Sequence, residues 1–134
     1  MRRAARYGTG WLPYMYTPEM LAESMDKIAT MTDEADRPEG SVKGGLFIFT
    51  CVHDSREQAL ALANEQLSRQ YNQDFSKLVH KYTVSGSPDD CIEQIEAYRA
   101  AGAETIILAQ GCPRDYVDEN TRLMAEAVVP AFRS

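Results

Sequence analysis

The chain is short of the residues that bind metals or cross-link: three cysteines, two histidines and no CxxC pair in 134 residues. Cys51, Cys91 and Cys112 are odd in number and far apart, so neither a disulfide framework nor a metal set is spelled out, and a reducing cytoplasm is the expected compartment. Basic residues are the minority, 14 against 20 acidic, for a net charge of −6. That balance argues against nucleic acid or an anionic membrane surface as a partner, since both are recognised by a basic patch. No apolar run approaches the length of a membrane span, and the first residues lack the apolar core of a signal peptide. No glycine-rich phosphate loop follows a strand, which leaves an unrelated doubly wound ligand-binding domain without support. Internal repeats and low-complexity tracts are missing as well. What is there, 44 % hydrophobic and 25 % charged residues, is ordinary for one globular domain with a core.

The stretch from Ser85 to Ala109 organises the rest, because it spells a helix feeding directly into a strand. Ser87, Pro88, Asp89 and Asp90 stand in the order of a helix start: a capping hydroxyl, a ring with φ preset, then negative charge near the positive end of the dipole. Cys91, Ile95 and Tyr98, with Ile92 and Ala101 beside them, make one apolar stripe at helical spacing. Gly102 stands where the helix stops, and residues 105–109 run apolar without alternation, as a strand covered on both faces does. A helix followed so closely by such a strand predicts a parallel sheet.

In chain order, Arg2 to Tyr7 reads as the last turns of a helix with basic residues at its end and Gly8 as its stop, so the chain is expected to begin inside something larger. Residues 10–12 form a short apolar strand, an aromatic loop through Pro13, Tyr14, Met15 and Tyr16 follows, and Thr17-Pro18 starts a helix to about Asp36. Leu21, Met25, Ile28 and Thr32 are its expected inner face. Residues 46–52, after Gly44-Gly45, are the strongest strand and are expected to be central. Ser55 and Gln58 cap a helix to about Tyr71 with Leu60, Ala63 and Leu67 inside, residues 74–79 predict a short extra helix, and a last helix runs from about Asp118 to Pro130. Three strands, each followed by its helix, leave open sheet edges, which predicts completion by further residues or by another chain.

The run from Arg3 to Glu19, RAARYGTGWLPYMYTPE, together with Tyr71 to Phe75, Gly86 through Ala103 and the closing Val129-Pro130-Ala131, resembles the C-terminal part of the luciferase-like flavin monooxygenases. The resemblance spans essentially the whole chain, and the order and spacing of its parts carry it. It implies an α/β fold, the C-terminal portion of a (β/α)8 TIM barrel with about three parallel strands and flanking helices, residues 1–134 forming a single partial domain. Such barrels need about 250 residues. It also implies an intact enzyme that uses FMN or a deazaflavin on a small organic substrate, with this part alone inactive and the flavin phosphate held by earlier loops. The family usually carries an acidic residue where Thr9 stands, which puts the geometry of that loop in question.

In a barrel, chemistry sits where strands end and loops begin. This selects Trp11, Tyr14 and Tyr16 after the first strand, Thr50 and Cys51 at the second, and Gln110 and Gly111 after the third, as cofactor or substrate contacts. Aromatic rings suit a planar flavin or an apolar substrate, although packing of the loop against the barrel rim is the plainer reading. Asp74 reads as a helix cap, Cys112 as a spectator thiol, and His53 and His80 as surface or helix-end residues; no catalytic residue and no metal ligand is singled out. A non-catalytic half-barrel that associates with itself or a partner is the alternative, and exposed strand faces make association the expectation for either reading.

Overall fold

The computed structural model describes residues 1–133. Among them four strands, β1 (Gly10–Trp11), β2 (Lys43–Val52), β3 (Thr83–Gly86) and β4 (Ala103–Gln110), alternate with helices α1 (Arg2–Tyr7), α2 (Pro18–Glu34), α3 (Arg56–Tyr71), α4 (Val79–Tyr82), α5 (Pro88–Ala100) and α6 (Val117–Leu123). β2 pairs with each of the other three strands, so it is the central one. It runs parallel to β1, with Gly10 opposite Lys43 and Trp11 opposite Gly44, and parallel to β3, from Phe49 opposite Thr83 to Val52 opposite Gly86. Parallel strands joined through helices are the α/β class that the helix–strand alternation predicts. The fourth strand, Thr83–Gly86, carries no sequence signal: it is four residues long with two hydroxyl side chains. Its polarity is absorbed locally, because the buried hydroxyls of Thr83 and Ser85 bond each other at 2.7 Å.

The chain divides into two compact units, each described by itself: Met1–Phe47 with Ala97–Ile107, and Ile48–Glu96 with the residues from Leu108 onward. In the first, α1 ends at Gly8 in extended rather than left-handed backbone, φ −88°. Glycine serves there by closeness, since a Cβ would sit 3.0 Å from the Ala4 backbone. The Arg37 guanidinium donates to the carbonyls of Ala5 at 2.8 Å and Ala4 at 3.3 Å, a cationic cap on the end of α1. Thr17 caps α2 by accepting from the Met20 amide at 3.2 Å, and Leu21, Ser24, Ile28 and Thr32 are its buried face. β2 starts at Lys43, three residues before the apolar run, and takes in both glycines. The pairing with β1 sets that start, and glycine is needed at 44 because a side chain there would collide with the carbonyl of Gly102. Gly102 ends α5 at φ +114° as expected. The strand after it departs from expectation, since Glu104, Thr105 and Ile107 are exposed, Ile107 by 44 %. β4 is apolar on both faces in sequence, but among the described residues it is not covered on both.

In the second unit, Ile48, Thr50, Cys51 and Val52 of β2 are buried. Ser55 caps α3 by accepting from Gln58, and the buried face is Ala59, Ala63 and Leu67, with Leu60 half-buried beside it. Residues 74–78 are not helical: the Asp74 carboxylate accepts from the Ser76 amide at 2.9 Å, an Asx turn that delays the helix to Val79. α5 opens with a reciprocal capping box, the Asp90 amide donating to the Ser87 hydroxyl at 3.2 Å and the Ser87 amide to the Asp90 carboxylate at 3.0 Å. The expected single last helix is broken into a 3-10 turn at Arg114–Tyr116, α6, a π-helical stretch Met124–Val128 and a second 3-10 turn at Val129–Phe132. Pro130 has no amide to donate, and the ladder changes pitch ahead of it.

Candidate functional site

In the first unit, β1 ends after two residues and residues 12–17 leave its C-terminal end. The ladder with β2 outlasts the strand: the Phe47 amide donates to Pro13 O at 2.9 Å, and Tyr14 bridges Phe47 in parallel. Thr9 joins the same ladder through its carbonyl, which accepts from the Lys43 amide at 2.9 Å while its side chain is exposed. The loop there is therefore closed by backbone. Met15 lies in the left-handed region at φ +55°, a conformation that a side chain with a Cβ resists. On either side of it, Tyr14 is 56 % exposed, whereas Tyr16 packs on Trp11 edge to face, 5.5 Å between centroids. Leu12 is exposed by 53 %. The Tyr16 carbonyl accepts from the hydroxyl of Tyr98 on α5 at 2.6 Å. Burial, followed by the nearby Glu19 charge, pushes the Tyr98 phenol well above its ordinary value, so it stays a donor. Trp11, Tyr14 and Tyr16 are thus brought into one turn; Tyr98, read from the sequence as core, is the residue that holds it.

In the second unit the predicted pair Thr50 and Gln110 meets through a third residue. Thr50 is fully buried and its hydroxyl donates to Ile48 O at 3.3 Å, so its side chain serves the strand. Its carbonyl accepts from the Gly111 amide at 2.9 Å and from Asn120 Nδ2 at 2.9 Å. The same amide of Asn120 donates to Gln110 Oε1 at 2.8 Å and accepts from the Val52 amide at 2.7 Å. Gln110 Nε2 donates in turn to the Thr121 hydroxyl at 2.7 Å. Asn120 was missed by sequence reading. Its signal is positional: stepping the stripe of Val128 and Met124 back by four lands on this polar residue, where a leucine would be expected.

His53 follows β2, accepts from the Ser55 amide through Nδ1 at 2.9 Å and stacks on Tyr116, 5.7 Å between centroids. Tyr116 donates to Val52 O at 2.6 Å, and burial together with the neighbouring Cys51 and Glu119 pushes its phenol up to about 12. Cys51 and Cys112 share one hydrophobic cluster. Burial pushes the Cys51 thiol up to about 12 and raises that of Cys112, which keeps both protonated. Among the described residues no group of His, Cys, Asp and Glu stands close enough to hold a metal ion. No described helix is long and apolar enough to cross a membrane. A cleft of about 560 Å³ in the first unit, bordered by Met25, Ile28, Thr32, Arg37 and Val42, lies at the N-terminal start of β2, the end of a parallel strand that serves stability rather than chemistry.

A flavin would need an apolar, flat contact for its ring and amide donors or cations for its phosphate. Exposed Leu12 and Tyr14, in the same turn as the Trp11–Tyr16 pair, offer apolar surface of the kind such a ring needs. The starts of α2, α3 and α5 are poor phosphate sites, because Thr17, Ser55 and Ser87 each already accept the third amide of their helix, Pro18 and Pro88 have no amide to offer, and Asp89 and Asp90 add negative charge to α5.

The sequence model of the luciferase-like monooxygenase family matches residues 1–105. No curated protein is significantly similar in sequence. Among solved structures, a secondary alcohol dehydrogenase dependent on coenzyme F420 is 16 % identical, with 99 % of this chain covering 46 % of it at a TM-score of 0.81. The coenzyme F420 dependent tetrahydromethanopterin reductase of Methanopyrus kandleri is 14 % identical, with 98 % of this chain covering 48 % of it at a TM-score of 0.73. The oxygenating constituent of 3,6-diketocamphane monooxygenase from Pseudomonas putida, solved with FMN, is 18 % identical, with 96 % of this chain covering 44 % of it at a TM-score of 0.66. The chain therefore spans less than half the length of each of these structures and shares their fold over nearly all of its own. With 105 of its residues matched by the family model, the chain belongs to the luciferase-like monooxygenase family.

Proposed function

We propose that this chain supplies, as a single partial domain, the C-terminal βα units of a luciferase-like oxidoreductase or monooxygenase acting on a small organic substrate, and that its aromatic turn carries part of the flavin contact. The observation behind this reading is the turn itself, with Tyr14 and Leu12 exposed at the end of β1 and Met15 held in left-handed backbone. Leu12 and Tyr14 would bear on the ring of FMN or a deazaflavin and exclude water from it, while Trp11 and Tyr16 keep the turn's shape. Such a ring, when bound, supplies hydride exchange or oxygen activation. In the second unit, Thr50 acts through its carbonyl only, and Gln110 keeps one amide hydrogen beyond its bond to Thr121 for a polar ligand contact. The capped helix starts leave the flavin phosphate to loops outside these residues, so the chain alone is expected to be inactive; a reducing cytoplasm agrees with its three buried thiols.

Trp11 is the single tryptophan, which makes its fluorescence a direct reporter of the turn. Titration with FMN should quench it saturably, with a dissociation constant below about 1 mM, and Tyr14→Ala should weaken the effect. Purely linear quenching over that range would end the reading.

A second reading is favoured by exposed Ile107 on β4: a half-barrel that pairs with another copy of itself through this strand. Sedimentation velocity tests self-pairing through this strand. A flavin-free dimer that Ile107→Lys converts to monomer supports self-pairing, whereas a wild-type monomer at all concentrations removes it.

A further inference from the structure

We infer that Tyr98 is a positioning residue for the aromatic turn, locking it in the shape that receives a planar ring. The inference rests on the reading of that turn as the flavin contact. Residues 13 and 17 are fixed by other means, the Pro13 carbonyl by the Phe47 amide at 2.9 Å and Thr17 by capping α2. Between these anchors the chain passes through Met15 at φ +55°, which turns Tyr14 outward and Tyr16 back onto Trp11. A left-handed residue other than glycine persists only where its surroundings over-determine it. The Tyr98 hydroxyl supplies that constraint from α5, donating to Tyr16 O at 2.6 Å with the phenol itself only 3 % exposed. Its ring belongs to the apolar stripe of α5, where phenylalanine would pack as well, so the oxygen has a task that the core does not require.

The test uses the 134-residue chain and its single tryptophan. Tyr98→Phe removes one oxygen and keeps the ring. We expect Trp11 to show lower anisotropy and red-shifted emission in the variant, and FMN affinity to fall about five-fold, the effect of one lost hydrogen bond. Ile28→Val, which trims the core of the same unit away from the turn, should leave FMN affinity unchanged, separating positioning from general destabilisation. Should Tyr98→Phe fail to fold, Tyr98→Met fills the core without a hydroxyl and takes its place. Trp11 emission and FMN affinity equal to wild type in the folded variant overturn the inference. If Trp11 loosens in the variant while wild type shows no saturable FMN quenching, the clamp stands and the flavin reading falls.

Discussion

Asn120 stands to Val52 as a neighbouring strand would. Its side-chain amide accepts the Val52 N–H at 2.7 Å and donates to the Thr50 carbonyl two residues earlier at 2.9 Å, the pair of bonds that a parallel strand makes to its partner. Just beyond β4 the Gly111 amide donates to the Thr50 carbonyl at 2.9 Å, and the strand does not continue through Cys112 and Pro113. A carboxamide delivered from α6 extends the ladder where the backbone stops. It also fixes Gln110, so one buried polar group sets both strand ends.

Asn120→Leu keeps the volume and removes the amide. The buried Val52 N–H then has no acceptor, and the expected loss is about 1–3 kcal/mol, read as a lower urea midpoint at unchanged slope. A midpoint equal to that of wild type would mean that water or a neighbouring group replaces the amide, contrary to this account.

The capping box of α5 makes stability depend on pH at the acid end. Hydrogen bonds from the Ser87 amide and hydroxyl hold the Asp90 carboxyl below its ordinary range. A carboxyl lowered by folding stabilises wherever it is ionised, and that contribution is present above its ordinary value near 3.8 and fades as pH falls through the lowered one. Asp90→Asn keeps an acceptor without the titration. Its stability should therefore fall less steeply than that of wild type below about pH 4 in parallel urea titrations, and identical slopes would assign the acid sensitivity to other carboxyls.

All three thiols are buried, with Cys51 and Cys91 pushed up to about 12 by desolvation and Cys112 raised by the same cause. At pH 8 the native chain should react slowly with a disulfide reagent, while the chain unfolded in guanidinium releases three equivalents at once. Rapid labelling of Cys112 in the native chain would contradict its role as a spectator and reopen it as a nucleophile.

Local chemistry was legible in the residues themselves. Thr17-Pro18, Ser55 and Ser87-Pro88 mark three helix starts because capping needs only neighbours in sequence, and Gly102 marks a helix end because left-handed backbone favours glycine. Residues 46–52 announce a buried strand through continuous apolar side chains. The same locality misled at residues 74–79, where a carboxylate two positions from an amide makes a turn before a helix can start.

Tertiary structure decided what depends on groups far apart in the chain. Thr83–Gly86 becomes a strand because β2 offers it a ladder, and β2 begins before its apolar run because β1 pairs there, Trp11 opposite Gly44, where the carbonyl of Gly102 leaves no room for a side chain. Of the site candidates, Trp11, Tyr14 and Tyr16 were visible as aromatic residues after a strand, but Tyr98 and Asn120, which orient Tyr16 and Gln110, lie 82 and 10 residues from them. A side chain that bonds a distant backbone or amide group leaves no periodic trace. Composition and periodicity record burial and local conformation, whereas a single long-range hydrogen bond exists only once the fold has brought its two ends together.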